Sequence, residues 1–143
     1  MTNVLVGVDR SDSSTRAVQL ALRWAEVSGQ SLLVVHVIPW SPFSFQTASE
    51  NEYRHAQRES EIAAAQAQVI APMVALAEGS GVDVAALVRH GSPSDELIEL
   101  AESHDATHLL VGRTGDSGLR VSLFGSVASR LVQHAPVPVT VVP

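Results

Sequence analysis

Five short apolar runs recur along this chain, and a stretch of helical periodicity separates each from the next. They occupy residues 4–8, 32–38, 82–88, 107–111 and 137–142. The first is continuously apolar rather than alternating, as expected of a strand covered on both faces. Strands and helices in strict alternation predict an α/β fold: a five-stranded parallel sheet with helices on both faces, an open α/β/α sandwich. Right-handed crossovers place every strand's C-terminal end on one side of that sheet. Asp9, Val37 and Gly112 all stand at such ends and are expected to meet in one crevice. At 143 residues the chain reads as a single domain, residues 1–143, with a core that needs no crosslinks.

The intervening segments carry their own punctuation. Residues 11–14 offer several helix N-caps, followed by Ala17, Leu20, Ala21 and Trp24 on one stripe, and Gly29 ends the helix. Residues 40–49 mix Pro, Ser, Phe and Thr and read as a loop. From residue 50 to 78 the composition turns to Ala, Gln and Glu, one long helix kinked or broken near Pro72, with a solvated face over residues 50–61. Ser92-Pro93-Ser94-Asp95 reads as N-cap, first-turn proline and capping partner. A last helix is expected from Gly125 to His134.

Composition excludes several chemistries. With no cysteine there is neither a disulfide framework nor a thiolate zinc site. All nine basic residues are arginine, which removes the P-loop lysine and Schiff-base chemistry. A net charge of −6 without a basic stretch argues against nucleic acid and anionic membrane as partners. No basic leader or bilayer-length apolar span is seen, so a cytoplasmic protein is expected.

The chemistry-bearing motif lies in the last quarter. Leu109-Leu110-Val111 empties into Gly112-Arg113-Thr114-Gly115, and nine residues later Gly125-Ser126 opens an amphipathic stretch. A strand that runs through a glycine-studded loop into a helix start can hold a phosphate: glycines admit the anion to the backbone, and open N–H groups point at it. The spacing is neither the dinucleotide fingerprint nor the lysine P-loop.

With these residues the chain resembles the universal stress protein family over essentially its whole length. Residues 4–9 resemble that family's first strand, residues 35–38 its second, Gly91-Ser92-Pro93 the turn before its third helix, and residues 135–139 its closing segment. Gly112-x2-Gly115-x9-Gly125-Ser126 matches the signature of its ATP-binding members. The resemblance implies a Rossmann-like sandwich that binds ATP, with Mg²⁺ carried by the phosphates. Asp9, with Gly7 allowing close approach, would serve the adenine–ribose side, and the Val37 backbone the adenine edge. Gly112 would lie against the ribose. Arg113, Thr114 and Gly115 would begin the phosphate loop, and Gly125, Ser126 and Val127 would meet the phosphates. The pair Arg113-Thr114 departs from the family's usual residues, and His108 replaces a common aspartate, read as a surface exchange. The resemblance further implies a regulatory module rather than a dedicated enzyme, and a homodimer through the last strand. A slow ATPase or phosphotransferase and a nucleotide-free interaction module stay open.

Other signals are weaker. Gly115-Asp116-Ser117-Gly118 spells a protease-like tetrapeptide in a chain without the matching frame. His104 and His108 are four apart, but a helix end and a strand start between them separate the pair. His36 reads as a hydrogen-bonded core residue and His134 as a helix-dipole partner. Arg120 and Arg130 flank the loop, as phosphate contacts or as solvated charge.

Overall fold

The computed structural model describes residues 2–39, 48–114 and 126–143. Five strands form one sheet in the order β3-β2-β1-β4-β5. They are β1 (Asn3–Gly7), β2 (Ser31–Pro39), β3 (Val84–Gly91), β4 (Ala106–Gly112) and β5 (Val139–Val142). Every pairing is parallel, and Val6 in the central strand lies between Val34 and Leu110. The expected doubly covered sheet is therefore present, with β3 starting later and ending later than the apolar run suggested.

Alternation along the strands divides the core into two layers. Val4, Val6, Val8, Leu32, Val34 and Leu110 face α1 (Asp12–Ser28) and the later part of the second helical stretch, through Ala17, Val18, Ala21, Val69 and Met73. Leu5, Leu33, Val35, Leu109 and Val111 face α4 (Pro93–Ser103) and α5 (Ser126–His134), through Leu97, Leu100, Ala128 and Leu131. Both faces of the central strands are thus dry, which is why their sequences show no polar alternation.

Helix α1 begins as its sequence suggests. Ser11 is the N-cap and its hydroxyl accepts from the Ser14 N–H, while Gly29 ends the helix at φ 69°. The second helical stretch is α2 (Ala48–Ala65), a π-turn over Gln66–Ile70, and α3 (Ala71–Ala75). The Ala71 N–H reaches back five residues to the Gln66 carbonyl. Pro72 has no N–H and its ring crowds the preceding turn, so the predicted kink is realised as a widened turn just before it.

Two sequence readings are corrected here. His108 is buried rather than a surface exchange: it is 7% exposed, and its Nε2 lies 2.5 Å from Thr140 Oγ1 across to β5. Trp24, expected on the buried stripe of α1, is instead 41% exposed and lies over His108 with ring centroids 4.1 Å apart. Burial holds the His108 pKa below its ordinary 6.5. Below pH 6.5 the unfolded chain therefore takes up a proton that the folded chain refuses, and stability falls as pH drops through that value. Above it this dependence is absent. Melting temperatures between pH 5 and 7.5 are expected to show the decline in wild type and a shallower one in His108→Gln; parallel profiles would refute the assignment.

Candidate functional site

Because β2 and β3 follow β1 to one side and β4 and β5 lie on the other, the order of connections reverses between β1 and β4. Such a reversal opens a crevice at the carboxyl ends of the strands. The chain has a cavity of about 490 Å³ there, within the usual range of small-molecule sites, about 300–1,000 Å³. Its floor and walls are largely apolar, from Val8, Val35, Val37, Leu97, Val111 and Val127.

All eight sequence-predicted site residues that lie among the described residues line this cavity: Gly7, Asp9, Val37, Gly112, Arg113, Thr114, Ser126 and Val127. Gly115 and Gly125 lie outside the described residues, as do Arg120 and the protease-like tetrapeptide. The pieces meet because a parallel sheet delivers β1, β2 and β4 to the same edge, not because they are near in sequence.

Asp9 ends β1 and organises the turn into α1. Its Oδ1 accepts from the Ser11 N–H at 2.8 Å and from the Ser14 hydroxyl at 2.9 Å, and its own N–H donates to Ser14 Oγ at 2.9 Å. The local capping role and the place on the cavity wall coexist. Beside it, His36 Nδ1 lies 2.7 Å from the Val8 carbonyl. A carbonyl only accepts, so Nδ1 carries the proton. The half-buried ring is hydrogen-bonded, as read from sequence, but it also lines the cavity.

Val37 contributes backbone. The Val35 carbonyl accepts from the Val8 N–H at 2.8 Å, beyond which β1 turns away. In a parallel strand the polar groups of residues two apart point to the same side. Val37 therefore presents its N–H and C=O to the gap that β1 vacates.

Two glycines have roles in packing that the sequence reading did not assign. A Cβ at Gly7 would stand 2.9 Å from Leu97 Cδ1 and 3.2 Å from Val111 Cγ1, so this glycine, besides lining the cavity, admits α4 to the sheet. At Gly112 a Cβ would stand 2.9 Å from Ser13 Cβ and 3.0 Å from its backbone carbon. The glycine lets the start of α1 press against the end of β4. Ser13, 1% exposed, then donates its hydroxyl to the Thr114 carbonyl at 2.8 Å. The Arg113 N–H donates to the Val142 carbonyl at 2.6 Å. The first two loop residues are thus held from α1 and from β5.

On the far wall the predicted capping box is not formed: Ser92 is the N-cap of α4 by position, but its side chain makes no cap bond. Arg130 of α5 lines the cavity and lies 3.3 Å from Asp95 of α4, both more than half exposed. Sequence reading missed Ser14, Ser92 and Ser94 as cavity residues. Their signal was present only as serines just beyond the ends of β1 and β3. Among the described residues no group of three or more His, Asp or Glu is placed to hold a metal ion. His104 closes α4 while His108 lies within β4, so their spacing is not helical.

A model of the universal stress protein family matches residues 1–143. A universal stress protein of Methanocaldococcus jannaschii is 31% identical over 146 residues, covering 97% of this chain and 80% of that one. Mycobacterial relatives of the same name are also 31% identical, and the chain spans about half their length, 47%. Among solved structures, universal stress protein UspA from Lactobacillus plantarum superposes with a TM-score of 0.84 at 25% identity, covering 99% and 97% of the two chains. A universal stress protein in complex with cAMP gives 0.66 at 28% identity, covering 99% and 96%. A family match over residues 1–143, with a solved relative superposing over 99% of the chain, leaves no part of it outside the resemblance: this protein belongs to the universal stress protein family.

Proposed function

We propose that this protein is an ATP-binding regulatory module whose nucleotide lies in the cavity at the β1–β4 reversal. The observation that carries this reading is the convergence of Asp9, Val37, Gly112, Arg113, Thr114 and Ser126 on that one cavity. The donor set fits an adenine nucleotide. The Val37 backbone offers one donor and one acceptor beside apolar walls, suited to a purine edge. At the other end, α5 starts with Ser126 and has no acidic residue in its first turn, so its open N–H groups favour an anion. The relative solved with cAMP supports an adenine nucleotide as the ligand class.

Bound nucleotide supplies negative charge, and Mg²⁺ is carried with it by the phosphates. Arg113 supplies the neutralising charge that lysine would otherwise give. The role is occupancy rather than dedicated catalysis, because Asp9 is the one carboxylate on the described lining and its Oδ1 is already engaged. A ligand that contacts Arg113 and Thr114 biases the loop that follows them and so the surface presented to partners. The partner in assembly is a second copy through β5, which among the described residues is an edge strand whose outer side invites strand addition. A cytoplasmic setting accords with the composition, and among the described residues no helix is long and apolar enough to cross a membrane.

The test is to purify the protein without added nucleotide, identify small molecules released on denaturation, and titrate ATP and AMP. ATP is expected at near-stoichiometric level or on titration. Arg113→Ala is expected to weaken ATP by about three- to tenfold, as for one charge-assisted contact, with a smaller effect on AMP. A protein that is empty and indifferent to both nucleotides overturns the reading. Multiple-turnover phosphate release would replace the regulatory role with an ATPase.

A further inference from the structure

Ser94 carries a buried hydroxyl with no partner among the described residues. The residue is 3% exposed and lies in the first turn of α4, and it makes no side-chain hydrogen bond to any described residue. No fully enclosed polar side-chain atom among the described residues lacks a partner, so the Ser94 oxygen keeps a narrow access. The cavity it lines supplies that access. Buried polar groups are normally satisfied, and a hydroxyl left open on a ligand cavity has a ligand as its natural partner.

The surroundings decide which part of a ligand it meets. The start of α4 carries Asp95 and Glu96, whereas the start of α5 carries no acid. Arg130 offsets one of those two charges from 3.3 Å away. Pro93, the first residue of α4, removes one of the N–H groups an anion would use. A phosphate is therefore disfavoured at α4 and favoured at α5. What remains for Ser94 is a neutral group able to donate and accept, which in a nucleotide is the base and ribose.

We propose that Ser94 is a specificity-determining residue that hydrogen-bonds the nucleoside portion of the ligand, opposite the phosphate end at Thr114 and Ser126. This rests on the nucleotide reading above. It assigns a polar contact on α4 to a site otherwise described from β1, β2, β4 and α5. The ligand gives the hydroxyl the partner it lacks among the described residues.

Calorimetric titration of AMP, ADP and ATP into wild type and Ser94→Ala, with melting curves of both free proteins, tests it. The variant is expected to lose about three- to tenfold in affinity, equally for the three nucleotides, as for one neutral hydrogen bond. The free variant is expected to melt at or above the wild-type temperature, because it removes a buried hydroxyl that makes no hydrogen bond among the described residues. Unchanged affinities overturn the proposal, and so does a loss that grows with each phosphate. A lower melting temperature in the free variant would make Ser94 structural and overturn it too. If wild type binds none of the three, the nucleotide reading itself falls and the role of Ser94 with it; binding by wild type with an indifferent variant removes Ser94 alone.

Discussion

Gly112→Ala is expected to destabilise the fold by about 1–3 kcal/mol, the usual cost of forcing a methyl into a packed contact. It is also expected to weaken ATP binding about tenfold or more, ~1.4 kcal/mol. The new methyl would press on Ser13 at both its Cβ and its backbone carbon, 2.9 and 3.0 Å away. Neither is the free end of a flexible side chain, so α1 or β4 must move. Moving Ser13 also breaks its bond to the Thr114 carbonyl, which holds the start of the loop. The double variant Gly112→Ala/Ser13→Gly separates the two effects. It removes the Cβ contact and is expected to recover part of the stability, but not the affinity, because the hydroxyl that holds Thr114 is gone. Wild-type melting and affinity in Gly112→Ala would show that α1 yields freely and that the contact does not position the loop.

Asp9→Ala is the second large effect. Hydrogen bonds to a charged group contribute about 1.5–3 kcal/mol each, and Asp9 Oδ1 accepts two inside the turn. Loss of both is expected to lower stability by about 2 kcal/mol after partial relaxation. On the proposed nucleotide reading ATP affinity is expected to fall about 10- to 100-fold, because the same carboxylate lines the cavity. Asp9→Asn keeps an oxygen that can accept from Ser11 and Ser14 but carries no charge. Near-wild-type melting with an intermediate loss of affinity is the expected result. Full affinity in Asp9→Asn would confine Asp9 to the turn.

The opposed charge at the two helix starts gives the cavity a direction. The first turn of α4 has Asp95 and Glu96 behind the Ser94 hydroxyl, which has no partner among the described residues, while α5 starts with Ser126 and no acid. An elongated ligand with one anionic end can lie one way round only. The Ser94 and Arg113 variants read the two ends separately, since one loss is independent of phosphate number and the other is not.

Much of this was legible in the order of residues. The apolar runs specify buried parallel strands, because only a strand covered on both faces needs no polar position. The helix limits at Ser11 and Gly29, and the disturbance at Pro72, follow from caps and a missing N–H that act within a few residues. The meeting of Asp9, Val37 and Gly112 followed once the strands were parallel, since a parallel sheet brings all carboxyl ends to one edge. Tertiary structure alone decided what each residue touches there. His108 is buried because Thr140 and Trp24 close over it. Gly7 is a glycine because Leu97 occupies its side-chain space, and Gly112 because Ser13 does. Ser94 has no partner among the described residues because it opens on a cavity whose walls come from six different elements. Periodicity reports which face of an element is covered; the atom that covers it comes from a segment distant in the chain, and only the fold brings the two together.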